Sequence, residues 1–163
     1  DELATTYDPV FKVNPPLRTQ RDVMALREGL ADGTIDIVAT DHAPHPAESK
    51  ECEWQYAAFG MLGLETALSI VWQTMIESKM MDISSLQSRM STLPAQIGRY
   101  HMHGLALKEG APANLTLFAP NKTWKVDRDL VSSKSKNTPF HGMEFKGQVV
   151  ATYFDGRESW RLK

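Results

Sequence analysis

The sequence has 163 residues, 42% of them hydrophobic, and a formal net charge of -2, enough apolar material to bury one ordinary core. With a pI near 6.2 it offers no basic field for nucleic acid, and no apolar run approaches the roughly 18 residues of a membrane span. Its single cysteine, Cys52, excludes an internal disulfide framework and fits a reducing compartment. The chain opens with Asp1-Glu2-Leu3 and not with a basic and then apolar leader, so no signal peptide is expected. Without an initiator Met, residue 1 is not expected to be the natural start. These totals predict a soluble, cytoplasmic piece of an enzyme with neither nucleic acid nor membrane as partner.

Residues 1–10 read as a loop ending at Asp8-Pro9. Phe11-Lys12-Val13 is a short strand signal, stopped by Asn14-Pro15-Pro16 because proline cannot donate to a ladder. Thr19 with Asp22 three residues on resembles a capping box, and Val23, Leu26 and Leu30 share one helical face closed by Asp32-Gly33. The apolar, β-branched run Ile35–Thr40 then predicts a buried strand, so the first 40 residues read as a βα unit feeding a parallel sheet.

Residues 48–56 are polar and irregular. A helix is expected from about Gly63 to Lys79, with Leu64, Leu68, Val71, Trp72, Met75 and Ile76 as its buried stripe and Glu65 favouring its first turn. Asp82 can cap a shorter helix through Met90, and Ser91 or Thr92 with Pro94 just inside starts another that ends near Gly98. From Gly104 the texture changes. Turn signals such as Asp155-Gly156 alternate with the β-rich runs Leu115–Phe118, Trp124–Val126 and Gln148–Phe154, which predicts a small antiparallel region. Lys134-Ser135-Lys136-Asn137 reads as a solvated polar loop.

The chemistry gathers where the strand signal at Ile35–Thr40 breaks off. Asp41, His42 and His45 fall within five residues, punctuated by Pro44 and Pro46. A carboxylate cannot sit cheaply inside so apolar a run, so Asp41 belongs at its end. A capped turn would use the same residues, but an acid and two histidines on a loop leaving a buried strand favour catalysis or metal binding. Adjacent residues on an extended chain point opposite ways, so His42 reads as support or packing beside Asp41.

The wording Thr40-Asp41-His42-Ala43-Pro44-His45 resembles the last metal-bearing strand of the amidohydrolase superfamily, and dihydroorotase of type I in particular. Asn14-Pro15-Pro16-Leu17-Arg18 is similar to a second family stretch, and the likeness runs through nearly the whole chain. It implies an α/β fold: the C-terminal part of a (β/α)₈ TIM barrel, its last two strands and following helices, over 1–103. The C-terminal part of a small composite β-sandwich would then occupy 104–163. A complete barrel takes about 250 residues, so the first six strands are not among these.

The implied activity is zinc-dependent, reversible cyclisation of N-carbamoyl-L-aspartate to dihydroorotate in pyrimidine biosynthesis. Zinc, as one or two ions, lowers the pKa of bound water toward 7, and the resulting metal-bound hydroxide attacks the ring amide. By resemblance Asp41 is both zinc ligand and general acid/base. His45 holds the substrate carboxylate, Asn14 hydrogen-bonds the ring, and Phe59 and Gly60 contact the substrate. The remaining zinc ligands and a substrate-gripping arginine are expected in an N-terminal part of the same enzyme, so this chain alone is expected to be inactive.

Partners implied are that N-terminal part, a second copy in a homodimer, and aspartate transcarbamoylase. A non-catalytic subunit supporting aspartate transcarbamoylase is one alternative; another cyclic amidase such as hydantoinase or allantoinase is a second, which Ala43-Pro44-His45 and Asn14-Pro15-Pro16 argue against. His101-Met102-His103 has the His-x-His form of a metal site but falls after a helix, where no family ligand lies. Cys52 reads as a structural or idle thiol. His141 is assigned no site, and Ala113-Asn114 departs from the Ala-Asp usual before the sandwich strand.

Overall fold

The computed structural model describes residues 2–162. The chain divides into two compact units, each assembled from three stretches of sequence. The first comprises Asp1–Leu26, Ala39–Ala67 and Lys125–Glu144; the second comprises Arg27–Val38, Leu68–Trp124 and Phe145–Lys163.

Helix α1 runs over Gln20–Asp32 and starts at the expected capping box. The Asp22 N–H donates to Thr19 Oγ1 (3.3 Å), while Asp22 Oδ2 accepts from the Thr19 N–H (3.1 Å). Those Thr19 hydrogen bonds hold the Asp22 carboxyl below its ordinary pKa, with Arg18 adding a smaller pull. Gly33 (φ +94°) ends the helix in the left-handed region.

In the first unit most of the chain is loop. The run Phe11–Val13 forms no strand: Pro9–Phe11 is a 3₁₀ turn whose opening is capped by Asp8 Oδ1 accepting from the Val10 N–H (2.9 Å). Residues Glu2–Thr6 also form a 3₁₀ turn and not the expected loop. A single helical turn, α2 (Ala47–Lys50), follows the two prolines at 44 and 46. The helix expected from Gly63 begins four residues late, at Ala67. The reason is local: the Gly63 and Leu64 N–H groups donate to His42 Nδ1, and Glu65 Oε1 accepts from Ser132 and Ser133 N–H groups. Leu64 is accordingly exposed and no part of the buried stripe.

In the second unit α3 (Ala67–Val71) passes directly into a wider π-helical turn over Trp72–Glu77. The same pattern recurs after α4 (Ile83–Gln87), where a π turn at Ser88–Thr92 runs on into α5 (Leu93–Ile97). Asp82 Oδ1 caps α4 by accepting from the Ser85 N–H (2.7 Å). Thr92, by contrast, is helical and caps nothing; its hydroxyl donates to Gly104 O (3.2 Å). The apolar core is Val71, Trp72, Met75, Met81 and Leu86, with Leu30, Val38, Leu68 and Phe118 packed against it. Trp72 and Phe118 meet as a tilted ring pair with centroids 5.2 Å apart.

The predicted run Ile35–Thr40 forms no strand, and the one parallel pairing among the described residues is an isolated bridge between His42 and Met61. A strand needs a neighbour to receive its ladder, and here the Val38 N–H goes to Arg89 O (3.2 Å) instead. The sheet that does form is antiparallel, in the order β1-β2-β3, from β1 (Leu115–Lys125), β2 (Glu144–Phe154) and β3 (Arg157–Arg161). The expected runs at 115–118 and 124–126 are one strand. Arg157–Arg161, too charged to read as β from the sequence, pairs with β2 across the Asp155-Gly156 turn. No helix among the described residues is long and apolar enough to cross a membrane.

Candidate functional site

Asp41 is exposed and holds φ at +46°, a backbone region uncommon for a residue with a Cβ. Among the described residues nothing hydrogen-bonds its carboxylate, so all its lone pairs are available. The next residue is committed inward. His42 Nδ1 accepts from the Gly63 (3.1 Å) and Leu64 (3.3 Å) N–H groups, which puts the proton of the neutral ring on Nε2. His42 thereby braces the loop at Gly63 and Leu64.

Three residues on, His45 Nε2 lies 2.8 Å from the Phe59 carbonyl. A carbonyl only accepts, so Nε2 carries a proton, and Nδ1 donates to an anion when the ring is an imidazolium. Phe59 itself is 57% exposed. Gly60 follows with φ +129°; a Cβ there would lie 2.5 Å from Ala43 Cβ and 3.1 Å from His45 Nε2. The position therefore demands glycine on conformation and on space. Asn14 is exposed on the loop that follows Lys12, and the Lys12 carbonyl accepts from the Gly60 N–H (2.9 Å). Asn14, His45, Phe59 and Gly60 thus lie on three loops that the backbone ties together. Asp41 belongs to the same unit and stands outside that hydrogen-bond network.

Three polar residues that the sequence pattern does not single out hold this arrangement. Lys12 and Lys50 are 8% and 6% exposed, with no ion-pair partner among the described residues. Lys12 Nζ donates to Trp54 O (2.7 Å) and Gln55 O (3.2 Å) and sits 4.7 Å above the Phe59 ring. Lys50 Nζ donates to Lys12 O, Ala58 O and Gly60 O. Burial pushes the Lys50 ammonium below its ordinary pKa, the neighbouring Lys12 charge adds to the shift, and Asp8 opposes it. Asn137 is 7% exposed and so is not the solvated residue its polar neighbours suggest. Its carboxamide bonds Ala43, His45 and Gly60.

The same geometry sorts the other candidates. His103 lies between Tyr100 (edge-on, 6.2 Å) and Phe154 (stacked, 5.8 Å), an aromatic packing site. No group of three His, Cys, Asp or Glu among the described residues could hold a metal. Asp41 suits one position of such a site, being exposed and free of hydrogen bonds. His42 adds no second, because its Nδ1 is occupied by two amides and its Nε2 bears the proton. Cys52 is partly buried, with only a long contact of 3.8 Å to Ser49 O. His141 Nδ1 accepts from the Arg128 N–H (3.1 Å), which caps a turn.

No family model matches the chain. Its relatives are nonetheless plain. It is 56% identical over 157 residues to a dihydroorotase of Streptomyces coelicolor, a match covering 96% of this chain and 37% of that protein. Identity is 46% over 161 residues to a dihydroorotase of Mycobacterium tuberculosis, covering 99% of this chain and again 37% of the relative. Among solved structures, L-hydantoinase (dihydropyrimidinase) from Arthrobacter aurescens superposes with a TM-score of 0.88 at 32% identity, covering 98% of this chain and 36% of that one. A D-hydantoinase from Thermus sp. shares the fold at a TM-score of 0.83 and 23% identity, over 94% of this chain and 34% of that one. Fold and loop motif together define a chain of the amidohydrolase superfamily. Within that superfamily the relatives it resembles are dihydroorotases, which match it along 96–99% of its length at up to 56% identity. The chain spans little more than a third of the length of the relatives it matches (37%).

Proposed function

We propose that this chain is the C-terminal portion of a type I dihydroorotase, which opens and closes the dihydroorotate ring in pyrimidine biosynthesis. The observation that carries the reading is the loop from Asp41 to His45. A carboxylate that no described residue hydrogen-bonds stands at one end of it, and at the other an imidazole braced on the Phe59 carbonyl at 2.8 Å. In this reading residues 1–103 complete a (β/α)₈ barrel and 104–163 a β-sandwich, in a cytoplasmic homodimer. The TM-score of 0.88 to the Arthrobacter hydantoinase supports that frame.

A zinc site takes about three protein ligands, and this chain contributes Asp41; the others belong to the portion of the relatives it does not span. Bound zinc supplies Lewis acidity and a water ionised at neutral pH. Asp41 takes the proton of the attacking water and delivers it to the ring nitrogen as the C–N bond breaks, a transfer its unencumbered carboxylate suits. His45, as imidazolium, donates Nδ1–H to the substrate carboxylate, and the Asn14 carboxamide matches the donor and acceptor of the ring amide.

The hydantoinase neighbours are consistent with a second reading, a cyclic amidase acting on rings without a carboxylate. The 56% identity to a dihydroorotase against 32% to a hydantoinase favours the first. A non-catalytic companion of aspartate transcarbamoylase would leave the Asp41 carboxylate without purpose. The test is ring opening of dihydroorotate by the assembled enzyme, this chain together with the portion of its relatives that it does not span. Asp41→Asn is expected to lower turnover by about 10²–10⁴-fold. Full activity in that variant would defeat the assignment.

A further inference from the structure

Two buried side chains outside the proposed chemistry meet on one carbonyl. Lys50 Nζ donates to Lys12 O (3.3 Å), Ala58 O (2.9 Å) and Gly60 O (3.0 Å). An ammonium has three protons, and main-chain oxygens take them all. Asn137 is committed as fully. Its Oδ1 accepts from the His45 N–H (3.2 Å), its Nδ2 donates to Ala43 O (2.9 Å) and Gly60 O (3.3 Å), and its carbonyl accepts from the Leu62 N–H (3.0 Å). The Gly60 carbonyl therefore receives a proton from each side chain.

For stability alone this is a poor arrangement. Burying an ammonium with no ion-pair partner among the described residues costs desolvation free energy, and an apolar side chain of similar volume serves packing as well or better. What the pair does supply is definition. Lys50 fixes Gly60 against Lys12, two residues before Asn14. Asn137 fixes the same Gly60 against Ala43 and His45. Three loops are thereby referred to a single oxygen atom.

We infer that Lys50 and Asn137 are positioning residues, which act through the shared Gly60 carbonyl to set the His45 loop against the Asn14 loop. The inference rests on the reading of Asn14, His45 and Phe59-Gly60 as substrate-holding groups. Neither side chain touches substrate in this account. Their removal loosens the groups that do, and a displacement near 1 Å in such groups is worth up to about a hundredfold in rate.

The test measures kcat and KM for dihydroorotate, zinc content and Tm on the assembled enzyme carrying Lys50→Met, Asn137→Ala, Asn137→Asp, or Lys50→Met with Asn137→Ala. Each single variant is expected to raise KM by about tenfold or more while kcat falls less and zinc content holds. Asn137→Asp, which keeps the acceptor for His45 and loses both donors, should be as impaired as Asn137→Ala. The double variant should be little worse than the poorer single one, because both act on one carbonyl. Lys50→Arg, which restores donors, should recover part of the KM. A lowered Tm with unchanged KM in the folded fraction would reduce both residues to packing and overturn the inference, as would fully multiplicative effects in the double variant. If Lys50→Met does not fold, Asn137→Asp reports on the same oxygen. A wild-type assembly that leaves dihydroorotate intact would instead sink the functional reading, and the inference with it.

Discussion

The two units of this chain are held together by different physics. Buried residues in the second are nearly all apolar, Val71, Trp72, Met75, Met81, Leu86, Ala95, Phe145 and Ala151, with Ser69 the exception. Those of the first are mostly polar: Lys12, Lys50, Thr66, Asn137 and Thr138 beside Ala57, Leu62 and Val126. Apolar burial is strong but non-directional, and it tolerates repacking at constant volume. Hydrogen bonds to named carbonyls are worth little net, yet they fix position and are costly to leave unmade. The unit that bears the candidate site is thus built for placement, and the other for stability.

That contrast predicts two separable failures. Gly60→Ala is expected to damage function more than stability. Its Cβ would enter the space of Ala43 at 2.5 Å from a backbone at φ +129°, so the loop must shift. Activity on dihydroorotate (kcat/KM) in the assembled enzyme should fall by about a hundredfold or more. Near-normal kinetics would show that the Gly60 loop does not define the site. Met75→Ala is the reciprocal case. Met75 is 2% exposed in the apolar core, and its loss should cost about 2–5 kcal/mol of stability in a denaturant titration. KM below the melting transition should stay within about twofold, since Met75 belongs to the unit that does not carry Asp41 and His45. A large KM change there would mean that the units are not separable in the way their cores suggest.

The same division decides what is legible in the sequence. Local signals read well: the Thr19–Asp22 capping box, the Asp82 cap, the Val71-Trp72-Met75 stripe and the Asp155-Gly156 turn each involve residues within a few positions of one another. The strand expected at Ile35–Thr40 fails because a β-branched run carries no information about whether a neighbour exists to pair with it. Asp41 and His45 stand out by residue type and spacing. What braces them does not, because Asn137 lies 92 positions from His45 and 94 from Ala43. Nothing near Asn137 in the chain distinguishes a carboxamide clamped on three loops from one facing water. Lys50, in a polar stretch of Glu48, Ser49 and Glu51, is hidden in the same way. In the apolar core the local period is the signal; in the polar site the signal is long-range and leaves no local trace.

The measurement that bears most directly on the account is a paired substrate assay on the assembled enzyme. Dihydroorotate is compared with dihydrouracil, the same ring without its carboxylate. If the His45 and Asn14 loops are shaped for an anionic ring, dihydroorotate should be preferred in kcat/KM by about 10²-fold, the scale of one hydrogen bond to a charged group. Equal or better turnover of dihydrouracil would contradict the account and assign the site to the hydantoinase side of the superfamily.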